Sequence, residues 1–291
     1  MKVLIAGGGG LVGRALGAYC RTQGDEVFSY DHRQLDISDP AVVAQTIQRD
    51  VPEVVINCAA WTDVDGCETN RERAFAANAE GPENLARATF AIGAGLITIS
   101  TDYVFDGRKD GFYTQRDQPS PESVYGISKL EGERRAQFAN ARTIVVRTGF
   151  IFGSGGTNFL STVLARALRG EPLKAISDSY GTPTYAPDLA RRLRELAERD
   201  LPGIFHVVNA GAGASYAEFA RAALDQINQT AVPFETVATA DLKRPAPRPV
   251  NSRLKCLLSE AIGLEPLPFW KDALAKFARL HEQTEAATAI Q

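Results

Sequence analysis

Tyr125 and Lys129 are the residues whose types and spacing in this sequence could do chemistry together. They are four residues apart, so on a helix their side chains share one face. A phenol has a pKa of about 10 and transfers protons poorly at neutral pH, but a nearby ammonium lowers that pKa. The pair could therefore protonate an alkoxide that develops from a carbonyl group. The same spacing also occurs on solvated helix faces that do no chemistry.

Thr101 could bring a hydroxyl to the same carbonyl oxygen. It lies in the block Ser100-Thr101-Asp102-Tyr103-Val104-Phe105, at the end of the strand-like run 95–100. Functional side chains in parallel sheets gather beyond the carboxyl ends of the strands. We therefore expect Thr101 to meet Tyr125 and Lys129 at one edge of a sheet and to form a catalytic set with them.

A glycine-rich loop near the N-terminus has the form of a nucleotide-binding turn. The apolar residues 3–6 precede Gly7, Gly10 and Gly13, whose spacing is G-x-x-G-x-x-G. Glycines let the backbone approach a diphosphate, and free N–H groups at the start of the following helix, near 11–23, favour its negative charge. A flexible glycine turn would have the same composition, but the position between a strand and a helix favours dinucleotide binding.

Asp31 and Arg33 give conflicting indications about which nicotinamide dinucleotide is bound. Asp31 follows the next strand-like run, eighteen residues beyond Gly13, where an acid hydrogen-bonds the adenosine 2′-hydroxyl and favours NAD. Arg33 could instead bind a 2′-phosphate. We expect a site that takes NADPH or NADH. Asp36 is either an adenine contact or the N-terminal acid of a helix that begins at Pro40.

Strand-like and helical patterns alternate through the first half of the chain. This alternation predicts an α/β fold of the Rossmann type, with a doubly wound parallel sheet. The expected strands are 2–6, 26–30, 53–57, 95–100 and 143–148, and the expected helices lie near 11–23, 40–50, 70–92 and 123–139. We predict an NAD(P)-binding domain over 1–150 and a smaller α/β substrate lobe over 151–291, from which some segments return to the first domain.

Composition and charge narrow the classes of partner. The chain has 291 residues, of which 44% are hydrophobic and 23% charged, as in an ordinary globular protein. A net charge of −3 argues against nucleic acid, and no apolar stretch is long enough to cross a membrane. The first residues run directly into a strand, so we expect no signal peptide. Scattered cysteines without a C-x-x-C pair indicate the cytoplasm and no zinc site.

These motifs together resemble those of the extended short-chain dehydrogenase/reductase family. The resemblance covers almost the whole length of the chain. Besides the glycine loop, it rests on Asn57-Cys58-Ala59-Ala60-Trp61-Thr62-Asp63-Val64-Asp65, Ser100-Thr101-Asp102-Tyr103-Val104-Phe105, Tyr125-Gly126-Ile127-Ser128-Lys129, Arg147-Thr148-Gly149-Phe150, Gly181-Thr182-Pro183-Thr184 and Arg248-Pro249-Val250-Asn251-Ser252. The last two blocks lie in the predicted lobe and indicate the branch that acts on dTDP-linked 4-keto sugars.

The resemblance implies transfer of a hydride from NADPH or NADH to C4 of dTDP-4-dehydro-L-rhamnose, which gives dTDP-L-rhamnose. It implies that Tyr125 donates the proton, that Lys129 binds the nicotinamide ribose and depresses the pKa of Tyr125, and that Thr101 holds the carbonyl oxygen. Pattern and resemblance together predict cofactor binding by Gly7, Gly10, Leu11, Val12, Gly13, Asp31, Arg33, Asp36, Ile37, Ala59, Ala60, Trp61, Thr62, Ser100, Tyr125 and Lys129.

Substrate contacts are also implied by the resemblance. The residues concerned are Thr101, Asp102, Val104, Phe105, Phe150, Asn158 and Arg248. Arg248 is the candidate for the nucleotide diphosphate, because its planar fork suits phosphate oxygens. Phe150 stands where many members of the family have Trp, so a stacking contact with the sugar would be weaker or shifted here.

Three other functions stay open. A sugar-nucleotide 4,6-dehydratase needs a second carboxylate after the Thr-Asp pair, and this chain has Tyr103 there. An epimerase could use the same Thr101, Tyr125 and Lys129 with a tightly held cofactor. A non-catalytic binding subunit is the third, since the regulatory subunit of methionine adenosyltransferase resembles this branch.

Some members of the branch are magnesium-linked dimers that use an acid soon after the third glycine. Here Arg14 follows Gly13, so that acid is absent. We therefore expect no metal site, and a monomer or weak homodimer.

Overall fold

The computed structural model of the protein describes residues 1–288. The strands in that range are β1 (Lys2–Ala6), β2 (Glu26–Tyr30), β3 (Val54–Asn57), β4 (Gly95–Thr101), β5 (Thr143–Thr148), β6 (Ile151–Phe152), β7 (Leu173–Ile176), β8 (Tyr180–Gly181), β9 (Thr184–Tyr185), β10 (Gly203–His206), β11 (Ala214–Ser215) and β12 (Phe234–Val237). The helices are α1 (Leu11–Thr22), α2 (Pro40–Asp50), α3 (Val64–Thr69), α4 (Arg71–Phe75), α5 (Gly81–Ala91), α6 (Val124–Ala139), α7 (Phe159–Leu168), α8 (Ala186–Arg199), α9 (Tyr216–Gln226), α10 (Leu258–Ala261) and α11 (Trp270–Thr288). None of these helices, within the described residues, has both the length and the apolar content needed to cross a membrane.

Six of the strands form one parallel sheet in the order β10-β5-β4-β3-β1-β2. Every residue of the central strands β3 and β5 is buried. Continuous apolar burial of this kind is typical of a parallel sheet that is covered by helices on both faces. The predicted Rossmann-type fold is therefore confirmed, and the five predicted strands match β1 to β5 to within one residue at each end.

The order of the strands reverses between β1 and β3. The chain runs from β1 to β2 on one side and then returns to place β3 on the other side of β1. In open sheets of this type the ligand crevice lies at such a reversal, beyond the carboxyl ends of the strands. The glycine loop follows β1 and residues 58–62 follow β3, so both predicted cofactor segments reach this crevice.

Most of the chain beyond β5 forms a second lobe with its own core. Three pairs of short strands, β6 with β9, β7 with β12 and β8 with β11, pack with α7, α9 and α11. The rings of Phe152, Phe219, Trp270 and Phe277 are buried there in edge-to-face contacts. Between these elements β10 returns to the main sheet and pairs with β5, while α8 packs against α1. The boundary at residue 150 stays a prediction.

The helical stretch predicted near 70–92 is confirmed over 71–91, but it is not a uniform α-helix. A π-helical turn at Ala76–Glu80 separates α4 from α5. At this turn α6 packs so closely that a Cβ on Gly132 would lie 2.1 Å from the Asn78 carbonyl oxygen. The interruption serves a tertiary contact, which helical periodicity does not reveal.

An ion pair between Arg147 of β5 and Glu133 of α6 is buried beneath the sheet. Nη2 lies 2.7 Å from Oε2 and Nε lies 3.0 Å from Oε1, and the two side chains are 4% and 2% exposed. We expect Glu133→Ala to lower the free energy of unfolding by about 3 to 5 kcal/mol, because it leaves a buried guanidinium without a partner. Urea denaturation measures this change.

A matched control is Glu235→Ala, which removes the partner of Lys174 from an ion pair whose side chains are 65% and 59% exposed. That change should cost less than about 1 kcal/mol. Equal losses for Glu133→Ala and Glu235→Ala would contradict the stabilising role of the buried pair.

Candidate active site

A cleft with a volume of about 850 Å³ opens where the strand order reverses. It is formed by the loops that follow β1, β2 and β3, together with α4 and the π-helical turn. The predicted cofactor residues that line it are Gly7, Gly10, Asp31, Arg33, Asp36, Ile37, Ala59, Ala60 and Trp61. The structure thus brings together residues that are up to 54 positions apart in the sequence.

Two glycines give the loop its shape. Gly7 has a φ of +79°, and a Cβ there would lie 2.6 Å from the backbone nitrogen of Ala59. A Cβ on Gly13 would lie 2.3 Å from the carbonyl oxygen of Gly7. Gly10 is the N-cap of α1 and has no side chain to cover the helix terminus. The backbone therefore forms an open cradle at the start of α1, which fits the diphosphate of a dinucleotide.

The remaining predicted cofactor residues do not line this cleft. They are Leu11, Val12, Gly13, Thr62, Ser100, Tyr125 and Lys129. Two cations that line it, Arg14 and Arg73, were not among the predicted cofactor residues. Arg14 donates to the carbonyl oxygen of Gly155 at 2.8 Å, and the guanidinium of Arg73 lies 4.6 Å from the ring centroid of Trp61. The position of Arg14 directly after the glycine loop could have indicated a cofactor contact. No motif near Arg73 in the sequence indicates one.

Asp31 and Asp36 line the cleft, and each carboxylate accepts hydrogen bonds from backbone nitrogens of residues that follow it. Oδ1 of Asp31 accepts from the backbone nitrogens of Arg33 at 2.8 Å and Gln34 at 3.1 Å, so the carboxylate is held at the end of β2. Asp36 accepts from the backbone and hydroxyl of Ser38, which lowers the pKa of its carboxyl. The alternative role given to Asp36, the N-terminal acid of the helix, is wrong, because Asp39 is the N-cap of α2.

The three predicted catalytic residues come from β4 and α6. Thr101 is the last residue of β4, and Tyr125 and Lys129 lie in the first two turns of α6. A Cβ on Gly126 would lie 2.3 Å from the carbonyl oxygen of Tyr103, so α6 begins in close contact with the turn that follows β4. This packing brings the hydroxyl of Thr101 close enough to the phenol of Tyr125 to affect its pKa.

The pKa shifts of Tyr125 and Lys129 differ from the prediction. Burial raises the pKa of Tyr125, and the hydroxyl of Thr101 opposes that shift. Burial lowers the pKa of Lys129 to about 8, and its ammonium donates to the carbonyl oxygen of Ile99 at 2.6 Å. The predicted depression of the Tyr125 pKa by Lys129 is therefore not present in this structure, and Tyr125 is a neutral phenol that carries its proton at pH 7.

Asn78, which the sequence analysis missed, joins the loop after β3 to α6. Its side chain is fully buried. The amide oxygen accepts from the backbone nitrogen of Trp61 at 2.9 Å, and Nδ2 donates to the Trp61 carbonyl at 3.0 Å and to Ser128 Oγ at 3.1 Å. It thus fixes Trp61 relative to the helix that carries Tyr125 and Lys129.

Val104 and Phe105 are core residues, which corrects the prediction that their side chains contact the substrate. They are 0% and 1% exposed, so neither side chain has surface left for a ligand. Phe105 stacks on Tyr113 at 4.3 Å between ring centroids. Packing beneath the site therefore accounts for these two residues of the block Ser100-Thr101-Asp102-Tyr103-Val104-Phe105.

Phe150 and Asn158 have structural contacts in the lobe. Phe150 has a φ of +45° and stacks on Tyr216 with 4.2 Å between ring centroids. Asn158 is the N-cap of α7, and its Nδ2 donates to the carbonyl oxygen of Gly153 at 2.9 Å. Their predicted parts in sugar binding stay predictions.

Arg248, the candidate for the diphosphate, forms a bidentate ion pair with Asp65. Nη1 and Nη2 lie 2.6 Å and 2.8 Å from the two carboxylate oxygens, and the guanidinium side chain is 13% exposed. The pair joins the proline-rich segment of the lobe to α3. A phosphate group at Arg248 would have to share the guanidinium with Asp65 or replace it.

Ser100 provides a test of whether the site fits a cofactor. Its Oγ is buried and has no hydrogen-bond partner among the described residues. A buried hydroxyl without a partner is costly unless a ligand or water satisfies it. Together with the open cradle at α1, this hydroxyl beside Thr101 fits a polar ligand that extends from the glycine loop to the catalytic set.

Comparison with known proteins agrees with the family indicated by the motifs. The model of the family described as RmlD substrate binding domain matches residues 1–282. A dTDP-4-dehydrorhamnose reductase of Mycobacterium tuberculosis is 38% identical over 280 residues, which cover 94% of this chain and 91% of that protein.

Solved structures give the same result. The crystal structure of a dTDP-4-dehydrorhamnose reductase from Clostridium acetobutylicum has a TM-score of 0.93 and 35% identity, covering 97% of this chain and 100% of that one. The structure of the Bacillus anthracis dTDP-4-dehydrorhamnose reductase in complex with NADP has a TM-score of 0.92 and 33% identity, covering 95% and 99% of the two chains. The chain therefore belongs to the RmlD family, the family of the dTDP-4-dehydrorhamnose reductases.

Proposed function

We propose that this protein reduces the C4 keto group of dTDP-4-dehydro-β-L-rhamnose with NADPH or NADH and so completes dTDP-L-rhamnose synthesis. The observation that carries the proposal is the position of buried Tyr125 near the end of β4, where it packs in one cluster with Trp61 of the dinucleotide-type cleft. The relatives that cover nearly the whole chain are named for this reaction, and one of them is a complex with NADP.

In the proposed mechanism the chain binds, orients and protonates. When bound, the reduced dinucleotide supplies the hydride. Its diphosphate would lie against the cradle at Gly10. Lys129 and Ser100 would bind the dinucleotide near its nicotinamide ribose. Tyr125 donates its phenol proton to the oxygen of the keto group as negative charge develops there. A buried phenol with a raised pKa carries that proton at neutral pH.

The direct test is an absorbance assay at about 340 nm with purified protein, the 4-keto sugar nucleotide generated in situ, and each reduced cofactor in turn. Substrate-dependent oxidation of NADPH or NADH is the expected result. Folded protein that binds a cofactor but oxidises none of it would contradict the proposal. It would favour an epimerase, in which the cofactor copurifies, or a binding subunit.

The cofactor preference gives a separate prediction. Asp31 is held with its carboxylate at the end of β2, where it would bind the adenosine 2′-hydroxyl of NADH. We expect Asp31→Ala to raise the KM for NADH about tenfold, since a hydrogen bond to a charged group contributes about 1.5 kcal/mol. The KM for NADPH should change less, because the substitution also removes repulsion of the 2′-phosphate.

The control is Asp117→Ala, which removes a carboxylate bound to Lys109 outside the cleft. It should leave the ratio of the two KM values unchanged. An equal loss for NADH and NADPH in Asp31→Ala would mean that this acid does not contact the 2′-hydroxyl.

We also propose that the protein works in the cytoplasm as a monomer or weak homodimer, without a nucleic acid partner. All four cysteines are free thiols, which suits a reducing compartment, and the net charge of −3 does not favour nucleic acid.

A further inference from the structure

A short series of hydrogen bonds connects the second lobe to Thr101. The hydroxyl of Ser252 donates to Oδ2 of Asp102, and Oδ1 of the same carboxylate accepts from Oγ1 of Thr101 at 3.0 Å. Ser252 and Asp102 are 2% and 3% exposed. A serine 150 residues further along the chain thus reaches the catalytic threonine through one buried carboxylate.

The surroundings leave this carboxylate little freedom to move. A Cβ on Gly149 would lie 2.5 Å from the carboxyl carbon of Asp102, so the glycine backbone packs directly against it. The backbone nitrogen of Ser252 donates to the carbonyl oxygen of Tyr180 at 2.7 Å, which fixes the serine in the lobe. Asp102 is therefore held from the sheet side by Gly149 and from the lobe side by Ser252.

The direction of these hydrogen bonds has a chemical consequence. An ionised carboxylate only accepts, so the hydrogens of both hydroxyls point to Asp102. The oxygen of Thr101 accepts from the backbone nitrogen of Tyr103 at 3.1 Å. The Asp102 carboxylate and the Tyr103 backbone thus fix the direction of the Thr101 hydroxyl, which lowers the pKa of the neighbouring Tyr125.

We infer that Ser252 is a positioning residue, which through the Asp102 carboxylate fixes the Thr101 hydroxyl and with it the orientation of Tyr125. This inference rests on the proposed reductase function, in which Tyr125 is the proton donor. It differs from the predicted role of Thr101, in which its hydroxyl holds the keto oxygen.

The ionisation of Asp102 makes the inference testable by pH. Burial raises the pKa of Asp102 to about 6, while the hydrogen bonds from Ser252 and Thr101 lower it. The titratable groups that interact with it are the phenols of Tyr103, Tyr125 and Tyr216, each with a pKa raised by burial and therefore neutral near pH 6.

The cations beyond these phenols are Arg244 and Arg248, which act on Tyr103 and Tyr216 and keep their charge throughout this pH range. Asp102 is thus the group in this cluster that changes charge near pH 6. If its ionised form is needed, kcat/KM falls as the pH drops through the pKa of Asp102.

The experiment measures kcat and kcat/KM from about pH 5 to about pH 9 with NADPH and the 4-keto sugar nucleotide. In Ser252→Ala we expect kcat to fall about tenfold and the acid limb of kcat/KM to move up by about one pH unit. Both follow from the loss of a hydrogen bond that stabilises the ionised carboxylate. Ser259→Ala, at a buried serine of α10 outside this network, should behave as the wild type.

The outcomes distinguish a failure of the proposed reductase function from a failure of the role inferred for Ser252. A folded wild type without reductase activity contradicts the proposed function and removes the premise of this inference with it. With an active wild type, Ser252→Ala overturns the inference if the acid limb stays in place, even where kcat falls, since packing alone would explain that loss. Should Ser252→Ala fail to fold, Asp102→Asn gives the answer, because an acid limb near pH 6 that persists without this carboxylate overturns the inference equally.

Discussion

Replacing Tyr125 by Phe should lower kcat by about 10² to 10⁴, the range that general acid catalysis contributes. The phenol is the proposed proton donor, and burial keeps it protonated by raising its pKa. The ring itself packs edge to face on Tyr103 with 5.9 Å between centroids, and Phe preserves that contact. The affinity for NADPH, measured by fluorescence titration, should therefore stay within about threefold of the wild type.

A matched control is Tyr113→Phe, which removes a buried phenol hydroxyl that donates to Asp106 at 2.7 Å, away from the catalytic set. It should cost about 1 kcal/mol of stability and leave kcat unchanged. A Tyr125→Phe protein that turns over at the wild-type rate would refute the role of Tyr125 as the acid.

The second large effect concerns Lys129→Met, which keeps a long unbranched side chain and removes its charge. We expect kcat to fall at least about a hundredfold, because loss of the ribose contact would shift the nicotinamide relative to the keto carbon and Tyr125. The dissociation constant for NADPH should rise about tenfold, as expected for the loss of one hydrogen bond from a charged donor. Single-turnover kinetics and fluorescence titration measure the two effects separately.

Lys174→Met provides the control, since this lysine pairs with Glu235 on the exposed surface of the lobe. It should change neither constant. Unchanged cofactor binding in Lys129→Met would remove the ribose contact from the mechanism. Unchanged turnover would remove the role of its charge.

Local patterns predicted the elements and the main chemistry. The strands β1 to β5, the glycine loop and the spacing of Tyr125 and Lys129 all follow from residues that are near one another in the sequence. Burial of strands and the pitch of a helix are periodic properties, so they can be read from the order of apolar residues. The agreement of several such segments at the carboxyl edge of one sheet also indicated where the cleft lies.

Contacts between distant residues could not be predicted in this way. The block that holds Thr101 does not reveal that Val104 and Phe105 are buried, because strand ends and the first core residues beyond them have similar composition. Nothing near Asn78 in the sequence indicates that its side chain binds both the backbone N–H and the carbonyl of Trp61. The ion pair of Arg248 with Asp65 likewise depends on how the lobe meets α3.

The sequence by itself determined the fold class, the glycine loop and the candidate catalytic residues, because each is indicated by neighbours along the chain. The tertiary structure decided the protonation of Tyr125 and the hydrogen-bond direction at Thr101. Both depend on burial and on partners such as Ser252 that are far away in sequence. The cost of removing charge from water depends on everything packed around a group, and that packing exists only in the folded protein.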